Sequence, residues 1–293
     1  MKLAVPIKHK HDIERFIHLN IDTLIIGITP YAHRMEGTFK IDELKPLIET
    51  IKTHHKNVWI NLNALCHEDD LKGLNTILKN IESLPIDGIL FADLAVYQYA
   101  KTYALTNKLI YYPETYTTSS KDVQFWHNEG IKSLVIGREM TLNDIKAMTE
   151  AQTMPLTLVG HGYLNMFHSK RPLVENYFKY TKDQDIDRVK NNRNLTLIEE
   201  RRNETYPILQ DDYGTHIFRS KPIASFSVLE TLKSRIDTMI IDTVLLREDM
   251  ITQIIKDYQA LLAGKQVDLS RYENTTDTGF YFKETGTKKG EAS

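Results

Sequence analysis

Eight short apolar segments recur along the chain, and all but one are separated from the next by about one helix's length of sequence. Their apolar residues are continuous rather than alternating, which is typical of strands covered on both faces in a parallel sheet. Amphipathic helical spacing fills the intervals, as in Ile41–Ile51, where Leu44, Leu47 and Ile48 share one stripe. The predicted strands are Leu3–Pro6, Thr23–Ile28, Val58–Leu62, Gly88–Ala92, Leu109–Tyr112, Ser133–Ile136, Leu156–Val159 and Met239–Leu246.

Eight β/α units within 293 residues predict an α/β protein of the (β/α)8, TIM-type barrel class. A doubly wound open sheet is the alternative, but its G-x-G-x-x-G fingerprint does not follow the first strand. We expect the barrel to span residues 1–264. A C-terminal extension is predicted over 265–293, with its end, Thr287–Ser293, disordered.

The regular alternation breaks between Phe178 and Arg235, ahead of the last predicted strand. Three short β-like runs occur there, and an Asp-Asp-Tyr-Gly turn signal at Asp211–Gly214 joins the last two into a hairpin. The pattern predicts a small β flap, at about residues 179–224, over the carboxyl face of the barrel. Its mixed charges favour a solvated surface over a nucleic-acid patch. The runs are Thr196–Ile198, Tyr206–Leu209 and His216–Phe218.

Charge and cysteine content restrict the function classes. A net charge of −2 provides no global basic field, so binding of nucleic acid would need a local patch or a partner. The single cysteine, Cys66, rules out a disulfide framework or thiolate cluster within this sequence and fits a reducing cytosol. The first residues do not resemble a signal peptide, and no apolar run is long enough for a bilayer. We therefore predict a cytoplasmic protein without membrane contact.

Polar residues stand just past several predicted strands, and a barrel would gather them at one rim. Glu139 is a candidate base, with an ion pair to Arg138 or a lysine as the alternative. His161 lies between two glycines, and we expect its imidazole to face the barrel mouth; a structural hydrogen bond is the alternative. Arg138, Glu139 and His161 are the predicted catalytic residues. The predicted substrate-binding residues of the rim are Asn61, Asn63, Asp93 and Glu114.

Leu156–Phe178 is the densest stretch of candidate residues. A buried strand ends in Gly160-His161-Gly162 and releases a cluster of polar side chains. Lys170 and Arg171 lie close in sequence to aromatic residues, and together they suit a phosphate or carboxylate with stacked bases; a solvated loop is the alternative. The predicted substrate-binding residues of this stretch are Asn165, His168, Lys170 and Arg171.

Motifs for hydrolysis are weak. Cys66 and His67 are adjacent, and adjacent strand residues point to opposite faces, so a buried free thiol is favoured over a catalytic dyad. Neither a G-x-S-x-G elbow nor an H-E-x-x-H helix occurs. His9 and His11 are the one pair of metal-ligand type, but no third ligand is marked nearby, and no metal site is predicted.

Several of these segments occur in the order found in the U32 peptidase family, also called collagenase-like proteases, which the chain resembles. The resemblance extends over nearly the whole chain, and the shared order is more specific than any one motif. The matching residues of the signature are His161-Gly162, Ser169, Arg171, Leu173 and Asn176-Tyr177-Phe178. The other matching segments are Phe125-Trp126 with Glu129-Gly130, Gly137–Leu142, Tyr206-Pro207 with Gly214–Lys221, and Thr278–Phe280 with Lys283-Glu284.

The departures from this family pattern concern cysteine. Where long members have cysteines that resemble iron–sulfur ligands, this chain has Asn165, Pro172 and Ala224, which cannot replace thiolates. The chain therefore resembles the short, cysteine-less paralogue of tRNA 5-hydroxyuridine synthesis proteins, and no cofactor is expected in it. The resemblance implies a long, cluster-bearing paralogue as partner and tRNA as a further one. A metal- or thiol-dependent peptidase and a non-catalytic tRNA- or partner-binding scaffold are the alternatives.

Overall fold

The computed structural model describes residues 1–150, 153–181, 192–201 and 204–283. Eight parallel strands close into a barrel, in the order β1-β2-β3-β4-β5-β6-β7-β13 with β13 pairing back to β1. The (β/α)8 prediction is confirmed, and the open-sheet alternative is wrong. The barrel strands are β1 Lys2–Pro6, β2 Thr23–Gly27, β3 Asn57–Leu62, β4 Gly88–Phe91, β5 Leu109–Tyr111, β6 Ser133–Val135, β7 Leu156–Gly162 and β13 Thr238–Ile241.

Helices cover the outside of the barrel because each buries an apolar stripe against the strands. In α2, for example, Leu44, Leu47, Ile48 and Ile51 are all buried. None of the helices in the described part of the chain has the length and apolar character needed to cross a bilayer. The helices are α1 Asp12–His18, α2 Leu44–Thr53, α3 Glu68–Ile81, α4 Leu94–Thr102, α5 Ser120–Asn128, α6 Leu142–Glu150, α7 Leu173–Thr181, α8 Leu229–Leu232 and α9 Glu248–Leu262.

The middle of the barrel interior is one apolar layer to which every barrel strand contributes a residue. Because side chains alternate between the two faces of a strand, the residues two positions on lie at the carboxyl-terminal rim, and those two positions before lie at the opposite opening. The middle layer comprises Ala4, Ile25, Trp59, Leu90, Ile110, Val135, Val159 and Ile240.

The flap is a separate antiparallel sheet in the order β8-β11-β10-β9. It begins earlier than the predicted residue 179, because the candidate site residues Asn165–Ser169 themselves form β8 and pair with β11. Helix α7 packs on this sheet, with the backbone nitrogen of Leu173 donating to Thr215 Oγ1 at 2.9 Å. The remaining strands are β9 Thr196–Glu199, β10 Glu204–Asp211, β11 Gly214–Phe218 and β12 Ile223–Ala224, which pairs with the end of β7.

The described part of the C-terminal extension returns to the barrel. Tyr281 is buried; its hydroxyl lies 2.7 Å from Ser225 Oγ, and its carbonyl accepts from the Leu142 nitrogen at 2.9 Å. Asp277 forms a β-bridge with Ile223. The disorder predicted for Thr287–Ser293 concerns residues outside the described ranges.

Candidate active site at the barrel mouth

A cluster of two arginines and two carboxylates occupies the carboxyl-terminal mouth of the barrel. Glu114 comes after β5, Arg138 after β6 and Arg34 from the loop after β2. Arg138 Nη2 lies 3.1 Å from Glu114 Oε1 and 3.8 Å from Asp242 Oδ2, and Arg34 forms an ion pair with the other Glu114 oxygen. The side chains of Arg138, Arg34 and Glu114 are 4%, 10% and 12% exposed, so water screens these charges little.

Two of these residues have an unusual backbone. Glu114 has φ of 72° and Arg34 φ of 51°, in the left-handed region that residues with a Cβ rarely adopt. Such conformations cost free energy and persist where the surrounding structure enforces them, most often at functional sites. The ion pair between these two side chains is therefore held by two loops that are themselves under constraint.

Burial and the paired charges shift the pKa values of the carboxylates in opposite directions. Burial alone would raise the pKa of Glu114, but Arg138 and Arg34 outweigh it and lower that pKa. For Asp242 burial prevails over the attraction of Arg138, and its pKa is raised. Arg138 stays a cation, because Glu114 and Tyr112 raise its pKa against the effect of burial. The mouth thus places a fixed anion beside a carboxyl group that accepts a proton more readily.

Several buried polar atoms at the mouth have no hydrogen-bond partner among the described residues. They are the donors Nε and Nη1 of Arg138, the acceptor Oε1 of Glu114 and the acceptor Oδ1 of Asn61, whose amide nitrogen lies 3.1 Å from Met35 Sδ. Arg138, Asn61 and Met35, with Asp242, line a small cavity of about 30 Å³. Buried polar groups are normally paired. The unpaired set therefore marks a place where a ligand with both acceptor and donor groups would bind.

A larger groove of about 310 Å³ opens beside this cavity, between the barrel rim and the flap. His33 lines both spaces, so the groove leads to the mouth. Tyr31 and Tyr213 contribute aromatic walls, and Lys170 stands at the edge, 3.2 Å from Asp70 Oδ2 and from the Leu65 carbonyl oxygen. The groove is the larger space next to the mouth cavity, and the two share the His33 side chain as a wall.

The remaining rim residues have structural contacts. Asn63 Oδ1 accepts from the His33 nitrogen at 2.8 Å and so holds the loop after β2. Asp93 caps α4 by accepting from the Ala95 nitrogen at 2.9 Å, and its other oxygen accepts from the Cys66 nitrogen at 2.9 Å. Of the predicted rim residues, Glu114 and Arg138 form the ion-pair cluster, Asn61 and Asn63 line the mouth cavity, and Asp93 caps a helix.

The flap residues divide in the same way. The Asn165 amide is satisfied when its oxygen faces Arg34 Nη1 at 3.2 Å and its nitrogen faces the Phe167 carbonyl at 2.9 Å, so Asn165 supports the mouth. The His168 ring stacks on His216 with centroids 4.6 Å apart, within the base of the flap. Arg171 is exposed. Its position leaves it at the surface, outside the two cavities.

The expectation that His161 faces the mouth is corrected by the structure. A register shift pairs Val159 with Ile240 but His161 with Ile241, which leaves Gly160 as an extra residue, and such a bulge re-aims the side chain that follows it. The imidazole is 1% exposed and lies outside the barrel interior, with Nδ1 3.3 Å from the Tyr258 hydroxyl of α9. Burial lowers the pKa of His161 to about 3, so the ring is neutral and its contacts are structural.

Glu139 also lies away from the cluster. Its side chain is exposed and lines neither the mouth cavity nor the groove, whereas the neighbouring Arg138 is buried. Both residues lie in the turn after β6, and this turn buries the Arg138 side chain while it leaves Glu139 at the surface. The predicted trio of Arg138, Glu139 and His161 is therefore not brought together, and only Arg138 lies in the site.

Three residues of the site were missed by the sequence interpretation: Arg34, Tyr112 and Asp242. The Tyr112 hydroxyl accepts a hydrogen bond from Arg138, and Arg34 comes from a loop without a marked motif. Asp242 directly follows β13 and obeys the rule used for the other strands, but it was hidden because that strand was predicted to continue to Leu246. An accurate strand end would have revealed it.

The cysteine and metal chemistry of the described residues is unfavourable for hydrolysis. Burial, together with the nearby Asp93 and Asp70, raises the pKa of the Cys66 thiol to about 12, whereas a catalytic cysteine needs a lowered one. In the described ranges, no group of three or more His, Cys, Asp or Glu residues is arranged to hold a metal ion. His9 and His11 stack on each other at 5.1 Å as exposed residues after β1.

Comparison with known proteins gives consistent matches. The family model of peptidase family U32 matches residues 8–286. Bacillus subtilis (strain 168) tRNA hydroxylation protein P2 is 29% identical over 293 residues, which cover 94% of this chain and 95% of that protein. tRNA hydroxylation protein P1 of the same organism is 24% identical over 177 residues, and the match spans 60% of this chain but less than half, 42%, of that protein.

A solved structure of a U32 peptidase matches the fold with a TM-score of 0.52 at 14% identity, covering 83% of this chain and 92% of that one. At that identity the likeness concerns the fold alone. The family model covers far more than half of the chain, and its matched region contains the flap, the mouth cluster and every barrel strand except β1. The chain therefore belongs to peptidase family U32.

Proposed function

We propose that this protein supports hydroxylation of a tRNA base, the wobble uridine at C5, in the cytoplasm and together with a longer member of its family. The observation that carries the proposal is the match to tRNA hydroxylation protein P2. It runs over 94% of this chain and 95% of that protein, so the two have the same extent. A match of this kind favours a shared role more strongly than a match of one domain within a larger protein would.

The partner is proposed from the cysteine positions. Asn165, Pro172 and Ala224 do not fit an iron–sulfur cluster, because amide, pyrrolidine and methyl groups provide no thiolate. Asn165 is moreover engaged with Arg34, and Ala224 is 5% exposed within the β12–β7 pair. A cluster required by the reaction would therefore come from another chain. A protein of the length of tRNA hydroxylation protein P1, of which the match spans 42%, suits that role.

Within this chain, the mouth is the proposed binding site. Arg138 offers two unpaired donors at the end of an access groove, and Asn61 offers an acceptor beside them. Asp242, with its raised pKa, is placed to accept or return a proton. Lys170 and the tyrosines of the groove would contact the chain that carries the base. These features support binding of the polar edge of a base at the mouth, and under this proposal the flap would position the rest of the substrate.

A peptidase is the second candidate, because the family carries that name. Two observations weigh against it. The Cys66 thiol has its pKa raised to about 12, and the described residues contain no grouping arranged for a metal-bound water. A non-catalytic scaffold remains the third candidate and predicts that the mouth residues are dispensable.

The test is deletion of the gene followed by mass spectrometry of tRNA nucleosides. We expect 5-hydroxyuridine and its derivatives to fall, and a wild-type copy to restore them. A copy with Arg138→Gln is expected to fail. The matched control is Glu139→Gln, which changes the adjacent, exposed residue and should restore the nucleoside fully.

Each alternative has its own outcome. Unchanged hydroxyuridine together with the loss of a proteolytic product would reject the proposal in favour of a peptidase. Full restoration by an Arg138→Gln protein present at the wild-type level would reject the mouth as the site and favour the scaffold. If neither the Arg138→Gln nor the Glu139→Gln copy restored 5-hydroxyuridine, the turn after β6 would act through its surface rather than through the buried Arg138 cation.

A further inference from the structure

The barrel has a second open cavity at its amino-terminal end, opposite the mouth. The cavity measures about 400 Å³ and is lined by the starts of β1, β2, β3 and β13 and by the segments that precede β6 and β7. Trp59, from the middle apolar layer, closes its inner end. None of its lining residues belongs to the mouth cluster, so this space is independent of the proposed active site.

Most of the residues that face the barrel axis at this end are polar. They stand two positions before the middle-layer residues of the same strands and therefore point the same way. Barrel interiors are usually filled by bulky branched side chains, which makes this layer unusual. Ser133 Oγ and Thr157 Oγ1 lie 3.2 Å apart, both buried. The layer comprises Lys2, Thr23, Asn57, Ser133, Thr157 and Thr238.

Cationic side chains surround the opening. Lys2, Lys132, Lys233 and Arg235 line the cavity, against one carboxylate, Asp237, whose Oδ2 already accepts from the Leu156 nitrogen at 2.9 Å. Arg235 is held in place by Thr149 Oγ1 at 3.2 Å, and Lys233 pairs with Glu230 at 2.7 Å. In the described part of the chain Lys2 and Lys132 form no ion pair with a carboxylate.

Lys132 is the most constrained of these cations. It is half-buried, and burial lowers its pKa; the charge of Asp87 opposes this shift, and the charges of Lys2, Lys52 and Lys108 add to it. The nearest carboxylate, Asp87, is already bound by Lys52, and Lys132 donates to the Asp87 backbone carbonyl instead. Four cations line this cavity against one carboxylate, Asp237, and a bound anion would balance the excess of positive charge.

We propose that this amino-terminal cavity binds a phosphate group. The hydroxyls of Thr23 and Thr238, which line the cavity, can bond to phosphate oxygens, and the amines of Lys2 and Lys132 balance the charge, which is the donor set that phosphate sites use. The phosphate belongs either to a free phosphorylated compound or to an RNA backbone. Nothing in the mouth chemistry is needed for this binding.

Isothermal titration calorimetry of the whole protein tests the proposal with two probes, inorganic phosphate and a tRNA transcript. We expect saturable binding of at least one probe. Lys132→Gln should weaken it at least about fivefold, and Thr238→Val, which removes one hydroxyl of the cavity lining at nearly constant volume, should weaken it measurably. The matched control is Lys121→Gln, which removes the same charge from an exposed position at the start of α5. Urea unfolding of each variant checks that the fold is retained.

The two probes identify the source of the phosphate. If inorganic phosphate binds tightly and tRNA displaces it only weakly, the natural ligand is a free phosphorylated compound. Binding of tRNA that is lost in Lys132→Gln but kept in Arg138→Gln indicates a backbone phosphate at this end of the barrel. The proposal is overturned if neither probe binds, or if Lys132→Gln and Lys121→Gln change the affinity equally.

Discussion

Replacing Glu114 with glutamine tests whether the buried charges hold the barrel mouth together. Glutamine keeps the size of the side chain, removes its charge and replaces one of the two acceptor oxygens that face the arginines with an NH2 donor. Arg34 would then lose its carboxylate partner, and Arg138 would retain Asp242 alone, at 3.8 Å. Both guanidinium groups remain buried.

The expected decrease in the free energy of unfolding follows from that geometry. Removing one partner of a buried ion pair typically costs about 3–5 kcal/mol, because a buried charge is left uncompensated. Since Asp242 still faces Arg138, the lower end, about 3 kcal/mol, is expected here. The unfolding entropy of a chain of this length is on the order of 0.6 kcal/mol/K, so the melting temperature should fall by about 5 °C.

The pH dependence gives a second readout. The folded-state pKa of Glu114 is lowered, so its stabilisation is complete above the unfolded-state value of about 4.3 and disappears as the pH falls through the folded-state pKa. The difference in free energy of unfolding between wild type and Glu114→Gln should therefore be full at pH 7. It should shrink below about pH 4.3.

Urea unfolding at pH 7 measures the effect, with Glu139→Gln as the control. That variant makes the same chemical change at an exposed residue and should stay within about 0.5 kcal/mol of wild type. If Glu114→Gln were as stable as this control, the mouth ion pairs would not stabilise the fold, and the reasoning would be refuted.

Three further results are expected. Gly162→Ala should destabilise the protein by about 2–4 kcal/mol in urea unfolding, because Gly162 has φ of +132° and an added Cβ would lie 2.7 Å from the Asp242 carbonyl oxygen. His161→Phe should still restore tRNA hydroxylation. The pKa of His161 is about 3 in the folded state and about 6.5 in the unfolded state, so protonation of the unfolded chain destabilises the wild type as the pH falls. Between pH 7 and pH 5 the free energy of unfolding of His161→Phe should therefore fall by about 2 kcal/mol less than that of the wild type. Alkylation of Cys66 by iodoacetamide at pH 8, followed by mass spectrometry, should be at least about tenfold slower than that of free cysteine, because the raised pKa leaves little thiolate; an equal rate would contradict the burial of the thiol.

The local pattern of the sequence was enough to predict the barrel and some of the residues at its mouth. Continuous apolar runs at regular intervals predicted all eight barrel strands, and polar residues after the strands pointed to Asn61, Glu114 and Arg138. These inferences hold because strand period, strand end and the parallel arrangement are properties of short segments and their order.

Contacts between distant segments were beyond that reasoning. Asn165–Ser169 was interpreted as a cluster of site residues, but it forms β8 because β11 lies beside it to complete its hydrogen bonds. Arg34 has no local signal, since it enters the site through the backbone conformation of its loop. Glu139 is next to Arg138 in sequence, and only the direction of each side chain from the strand end separates their roles.

The amino-acid sequence by itself determined the fold class, the family and the set of strand ends from which a site could be built. The tertiary structure alone decided which of those side chains meet. The physical reason is seen at Gly160: one extra residue in β7, opposite a β13 strand that lacks it, turns His161 out of the barrel and into contact with Tyr258. A bulge depends on how two strands pair, and neither strand's own sequence contains that information.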